Sequence, residues 1–221
     1  MHIGKIYPIS LNEKTAYLAG VIIGDGYLAD YFKSDNGRSY KVQIDLTDFD
    51  FITTIASLTK KIIPTGARII QKKVPAVNKS TWTFSVSNKS WWHFLTQTLK
   101  IPFGKKSRVV SVPDQIIKGS VSIKKAFLAG IFDTDGGLKG NCIGITTASK
   151  IMCDGLVSLF SDLGFTCRIS SWVIKNYNWR YYAVSLYRRD IDRFLKEIPL
   201  RDEGKRQAIF NRFIRGRSGA V

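Results

Sequence analysis

Hydrophobic and polar positions along the chain fall into a pattern that is written twice. Residues 16–23 and 126–132 are apolar on nearly every face, which predicts two buried helices. Each run ends in Asp-Gly, at Asp25-Gly26 and Asp135-Gly136. After the first, Val42, Ile44 and Leu46 alternate with Lys41, Gln43 and Asp45, the period of a half-buried strand, and 142–146 is a weaker counterpart. Helical spacing returns with Phe51, Ile52, Ile55, Leu58 and Ile62, and again with Ile151, Leu156, Leu159, Phe160 and Leu163. Hairpins are predicted over 68–86 and 168–186, each followed by a short helix holding Phe94-Leu95 or Phe194-Leu195. In the first hairpin Thr81, Thr83 and Ser85 alternate with Trp82, Phe84 and Val86, giving one apolar and one polar sheet face. The element order is αββαββα, twice, an α+β fold. Ser10 and Glu13 form a capping box for the first helix, which should run to about Gly24 with Gly26 as C-cap; Ser122 and Gly136 are the matching caps of the second, without the box.

The recurrence is literal. AYLAGVIIGDGYL at 16–28 returns as AFLAGIFDTDGGL at 126–138, WTFSVSNKSWWHFL at 82–95 aligns with YAVSLYRRDIDRFL at 182–195, and GKKS at 104–107 with GKRQ at 204–207. Two copies imply a fused, pseudo-twofold protein rather than a solenoid. Residues 1–106 form the first half, 123–221 the second, and 107–122, with Pro113 and Gly119 and no echo, the linker. Ala16, Gly20 and Gly24 make a stripe of small residues matched by Ala126, Gly130 and Thr134. Glycine inside a helix costs roughly 0.5–1 kcal/mol relative to alanine, so the stripes imply that another backbone comes very close. If the two helices pack on each other, Asp25 and Asp135 arrive together at their C-terminal ends.

Composition turns this pattern toward a polyanion. Among 221 residues, 34 are Lys or Arg against 17 Asp or Glu, a net charge of +17, while 44% are apolar and 12% aromatic. That excludes a disordered basic tail and points first to nucleic acid, with an anionic membrane surface second. No window suits a membrane-spanning helix and the N-terminus has no secretory signal, so an intracellular protein is expected, in cytoplasm or organelle alike. Cys142, Cys153 and Cys167 lack disulfide or zinc spacing, and His2 and His93 are too few for histidine-based nuclease chemistry. Gly104-Lys105-Lys106-Ser107 is similar to the end of a P-loop, but Leu99 stands where that loop needs glycine and Lys106 where it needs Ser or Thr.

Two carboxylates meeting at two helix C-termini, each worth about half a negative charge, require a shared proton or a hard divalent cation. Beside a phosphate-binding surface, the cation is the reading taken. LAGVIIGDG at 18–26 and LAGIFDTDG at 128–136 resemble the two motifs of a single-chain LAGLIDADG homing endonuclease. Ile23, Gly24 and Thr134 depart from the namesake at variable positions, and the final acid is intact in both copies.

The resemblance implies motif helices packed between two pseudo-symmetric halves and saddle-shaped antiparallel sheets along the major groove of double-stranded DNA. It implies that Asp25 and Asp135 hold the metal, Mg²⁺ with Mn²⁺ able to replace it, and that Gly24 and Thr134 belong to the metal set. It places Lys105 and Lys205, from the GKK and GKR echoes, beside the scissile phosphates. Asp48, at the end of the second strand, is a weaker candidate, because its counterpart is Ala148. The expected reaction is metal-assisted hydrolysis giving a staggered double-strand break at a long, asymmetric site, performed by a monomer. Lys41, Gln43, Arg68, Lys72, Lys73, Thr81 and Thr83 in one half, and Arg168, Ser170, Lys175, Asn178 and Arg180 in the other, are the expected DNA contacts. The alternatives are an RNA maturase with intron RNA as partner and a DNA-binding regulator without cleavage. A nuclease built from Pro113-Asp114 and Glu203-Gly204-Lys205 is disfavoured because its pieces are far apart and ignore the repeat. With neither Cys nor Ser at the first position and no terminal His-Asn, an intron-encoded or free-standing protein is expected over an intein-embedded one.

Overall fold

The computed structural model describes residues 7–33, 37–63, 67–74 and 79–215. The first half runs α1 (Glu13–Gly24), β1 (Gly26–Lys33), β2 (Gly37–Leu46), α2 (Phe49–Lys60), β3 (Ala67–Val74), β4 (Lys79–Ser87) and α3 (Lys89–His93). A short helix α4 (Asp114–Ile117) lies in the connection. The second half repeats the order with α5 (Val121–Asp135), β5 (Gly136–Lys139), β6 (Cys142–Thr147), α6 (Lys150–Asp162), β7 (Cys167–Ile174), β8 (Trp179–Leu186) and α7 (Ile191–Glu197). It then adds α8 (Glu203–Phe213). Each half holds one antiparallel four-stranded sheet, ordered β1-β2-β4-β3 and β5-β6-β8-β7. This is the α+β architecture that the periodicity predicts.

Side-chain alternation decides which sheet face is covered. Val42, Ile44, Phe84 and Val86 are buried with Phe51, Ile52 and Ile55 of α2. Ile143, Ile145, Val184 and Leu186 are buried with Leu156, Leu159 and Phe160 of α6. The opposite faces carry Lys41, Gln43, Arg68 and Lys72 in the first half and Arg168, Ser170, Trp172 and Trp179 in the second.

α1 and α5 are buried on all sides and pack on each other through the glycines. A Cβ added at Gly20 would lie 2.4 Å from the Phe127 carbonyl oxygen, and one at Gly130 would lie 2.0 Å from that of Tyr17. Only hydrogen fits there, so the stripes mark backbone-to-backbone contact. The start of α1 differs from the expected box. Asn12, not Ser10, is the N-cap: its side chain accepts from the Lys14 and Thr15 amides, and the Thr15 hydroxyl accepts from the Asn12 amide. Threonine at the third helical position thus takes the part assigned to Glu13. At the other end Asp25 caps the helix, and Gly26 opens β1 where a Cβ would meet Ile22 at 2.6 Å. α5 is capped by Ser120, three residues before the Ile123 amide it serves; Ser122 lies inside the first turn and shares a hydrogen bond with the Ser120 hydroxyl. Gly136 is its C-cap, as expected.

The connection is packed into the second half. Val110, Val112 and Ile116 are buried, and the buried Ser149 hydroxyl that caps α6 also donates to the Val110 carbonyl at 2.7 Å. Lys106 closes a turn in which its carbonyl accepts from Val109 and Val110. That turn carries the end of the first half across to the second.

Candidate active site

The two Asp-Gly sequences converge where α1 and α5 end. A Cβ built on Gly24 would strike the Thr134 hydroxyl at 2.1 Å and lie 3.4 Å from the carboxyl carbon of Asp135. Asp135 is half-buried, and burial, then the charge of Asp25, raises its carboxyl to about 7 against the opposing pull of Lys106, Lys205 and Lys139. The more open Asp25 is raised too, by partial desolvation, against Lys205 and Lys106. A pair of carboxylates pushed toward protonation is a site that gains from a cation. The donors are oxygen only, which suits Mg²⁺ or Mn²⁺. Among the described residues no group of three or more His, Cys, Asp or Glu could hold a metal ion, so these two acids bring no third such side chain with them.

Two ammonium groups flank the acids. Lys106 is 8% exposed, donates to the Gly26 carbonyl, and interacts first with Asp135 and then with Asp25. Lys205, at the third position of α8, donates to the carbonyls of Phe132, Asp133 and Thr134 at 3.1, 2.7 and 3.2 Å. The Phe132 carbonyl also accepts from the Gly136 amide, whereas the Asp133 and Thr134 carbonyls lie past the last helical bond, so one lysine satisfies the helix terminus and complements its dipole. Desolvation lowers both lysines' affinity for the proton. One expected residue is placed differently. Lys105 is exposed and Lys106 holds the site, because the first echo sits in an irregular turn whereas the second begins a helix, so a residue-for-residue alignment slips by one. The Thr134 carbonyl accepts from Lys205, and its hydroxyl donates to the Gly130 and Ile131 carbonyls. Asp48 accepts from the Phe51 amide as the N-cap of α2, a structural task.

Beneath the acids lies a contact that the sequence reading missed. Tyr17 of α1 donates to Asp133 of α5 at 2.6 Å, and the Arg201 amide donates to the same oxygen at 2.8 Å. Burial, the main cause, raises Asp133 to about 6 and pushes the Tyr17 hydroxyl up as well. The Arg201 guanidinium lies 4.9 Å from the Tyr17 ring centre. Asp133 therefore ties the two motif helices to the segment leading into α8 and Lys205. Its signal was present: an acid inside a helix that is otherwise apolar all round demands a partner.

Comparison with known proteins agrees with this geometry. The LAGLIDADG-like domain family matches residues 122–199. The solved structure of the homing endonuclease I-DmoI in complex with DNA and Ca superposes with a TM-score of 0.68 over 90% of this chain and 97% of that one, at 21% identity. Two copies of the fold and both motifs are present. The second half thus matches the LAGLIDADG-like domain, and the whole chain shares the fold of that solved structure. Relatives include replication factor C small subunit of Methanocaldococcus jannaschii, 28% identical over 88% of the chain, and a DNA polymerase of Acanthamoeba polyphaga mimivirus, 25% identical over 88%. The chain spans only 10% and 11% of the length of those two curated relatives.

The sheet faces opposite α2 and α6 carry most of the expected DNA contacts. In the first half, register places Lys41 beside Ser87, Gln43 beside Ser85, Arg68 beside Ser85 and Lys72 beside Thr81, all on one face. Asp45 sits among them and gathers three partners: the Gln43 amide at 2.8 Å, the Thr83 hydroxyl, and the Lys72 ammonium at 3.8 Å. Thr83 is 3% exposed, so its hydroxyl orients Asp45 instead of meeting DNA. Lys73 belongs to β3, and its side chain lies outside the described residues. In the second half Arg168 and Ser170 share the free face, while Lys175 and Asn178 form the hairpin end, Asn178 in the left-handed region at φ 49°. Arg180 is opposite Val173 in the alternate register, on the helix-side face near Ser171, so the pleat turns it away from Arg168 and Ser170. Among the described residues, no helix is long and apolar enough to cross a membrane.

Proposed function

We propose that this chain is a site-specific endonuclease of double-stranded DNA that acts as a monomer and depends on Mg²⁺ or Mn²⁺. The observation that carries the reading is the meeting of Asp25 and Asp135 at one point, each helix end flanked by a desolvated lysine. The two carboxylates would hold the metal, which supplies an activated water and stabilises the departing 3′ oxygen. Lys106 and Lys205 are fixed by backbone carbonyls before substrate arrives, so their charge needs no reorganisation as negative charge grows on the phosphate. Neither lysine has to form a covalent bond. With one acid from each half, each strand would have its own carboxylate, and the resemblance to homing endonucleases implies a staggered break with short 3′ overhangs.

Matching segments lie within proteins named for two different replication activities, of which they form about a tenth. That supports a portable module, as a homing function requires, rather than a component of either activity. The test is selection of cleaved sequences from a randomised duplex library with Mg²⁺, using the wild type, Asp25→Asn and Asp135→Asn. Double-strand cleavage at a long site by the wild type, lost in both variants while binding in Ca²⁺ persists, is expected. Full double-strand cleavage by either variant overturns the assignment.

A further inference from the structure

The two sheet faces differ most toward the hairpin ends. In the first half Lys72 and Thr81 pair there, while the aligned residues of the second half are Trp172 and Tyr181, followed by the pair Ile174 and Trp179. Register puts all four second-half residues on the face that bears Arg168 and Ser170. Trp172, Trp179 and Ile174 are 42%, 41% and 39% exposed. The Trp172 and Tyr181 rings stack with centres 6.0 Å apart, and the Arg108 guanidinium lies 3.8 Å from the centre of the Trp179 ring. The patch is continuous with the active site, because Tyr181 also lines a cavity of about 180 Å³ shared by Asp135, Lys106 and Thr146.

We propose that the second half reads its arm of the duplex through apolar contact with thymine C5-methyl groups, with Trp172 and Ile174 as the reading surface. This rests on the duplex-DNA reading above. Apart from the Trp172 indole N–H, this flat and branched surface offers nothing to a phosphate, and the thymine methyl is the apolar group that base edges present in the major groove. Arg108, fixed on the Trp179 ring, supplies positive charge beside the patch, so the duplex is drawn down onto it. The first half presents one exposed branched side chain on the corresponding face, Ile70, among Arg68, Gln43 and Lys72, and reads mainly by charge and hydrogen bonds. The target should therefore be chemically lopsided, with thymine in the arm under the second half.

The test uses the full chain and a target from the library selection, bound in Ca²⁺, with thymine replaced by deoxyuridine in one arm at a time. 5-Iodouracil photocrosslinking assigns the arms and is expected to label the β7–β8 hairpin. Removal of each contacted methyl should weaken binding about fourfold at several positions in the arm under the second half and at no more than the one under Ile70 in the other arm. Trp172→Lys, the residue of the first half, should erase that difference. Binding that ignores deoxyuridine in the second arm, or crosslinks only to other elements, overturns the inference while leaving duplex recognition intact. Failure of the selection to yield any bound duplex overturns duplex recognition itself. The deoxyuridine comparison needs only the wild type, so a variant that fails to fold does not decide the matter.

Discussion

Gly130→Ala adds one methyl group at the closest point between the motif helices. The new Cβ would lie 2.0 Å from the Tyr17 carbonyl oxygen and 3.0 Å from the Val21 amide nitrogen, where ordinary contact begins at 3.4 Å, so the helices must part by about 1.4 Å. Two effects oppose each other. Alanine is favoured over glycine in a helix by about 1 kcal/mol, whereas overpacking against a backbone that cannot rotate away costs typically 1–3 kcal/mol or more. The steric effect wins because the obstacle is main chain on a buried helix. A net loss of about 2 kcal/mol lowers Tm by roughly 4–8 °C in a chain of this size, read by calorimetry in EDTA. Gly137→Ala is the control, since nothing lies within 4 Å of its added Cβ. Parting the helices also parts Asp25 from Asp135, so the single-turnover cleavage rate should fall together with stability. A Tm that is unchanged or raised by Gly130→Ala would refute the backbone contact.

Lys106→Met and Lys205→Met should each slow single-turnover cleavage at least tenfold with little change in Kd, and Lys105→Met should do neither; loss of affinity at an unchanged rate would make the lysine a phosphate contact. The carboxyl of Asp135 sits at about 7 when folded against an ordinary value of 3.8, so the unfolded chain releases this proton first and metal-free stability falls as pH rises between those values. Asp135→Asn should therefore melt higher than wild type at pH 7.5 in EDTA and equally at pH 4, and a lower Tm at pH 7.5 would contradict the strained pair. If the basic faces neutralise about eight phosphates, log K should fall with log[salt] at a slope near −7, and salt-independent affinity would exclude the sheet faces as the DNA platform.

The parts of the molecule that repeat were legible in the sequence. Gly20 and Gly130 predicted close helix packing, because an unfavourable residue placed twice in a buried helix has to serve a neighbour. That packing in turn brought Asp25 and Asp135 together. What stayed hidden depends on positions that do not repeat. Lys105 and Lys106 are adjacent and chemically identical, and only the turn that Val109 and Val110 close on the Lys106 carbonyl selects the second. Asp133 has Ile23 as its counterpart, so a search for shared residues passes over it. Arg180 is expected as a contact from its place in the hairpin, whereas counting two residues at a time from Tyr182 puts it on the covered face. Thr83 alternates as expected, yet Asp45 across the strand takes its hydroxyl, and such pairing depends on register.

The latch between Val110 and Ser149 bears on how such proteins can be recombined. Lys106 comes from the first half in chain order, yet it faces Asp135 because Ser149 holds Val110 and because Val112 lies against Gly155, where a Cβ would come within 2.7 Å of it. A chimaera that joins the first half of one protein to the second half of another must therefore take the stretch from Lys106 to Ser120 with the half that supplies α6. A crossover placed inside the irregular stretch, where sequence alone invites it, would preserve both folds and still leave one strand's carboxylate beside a misplaced ammonium.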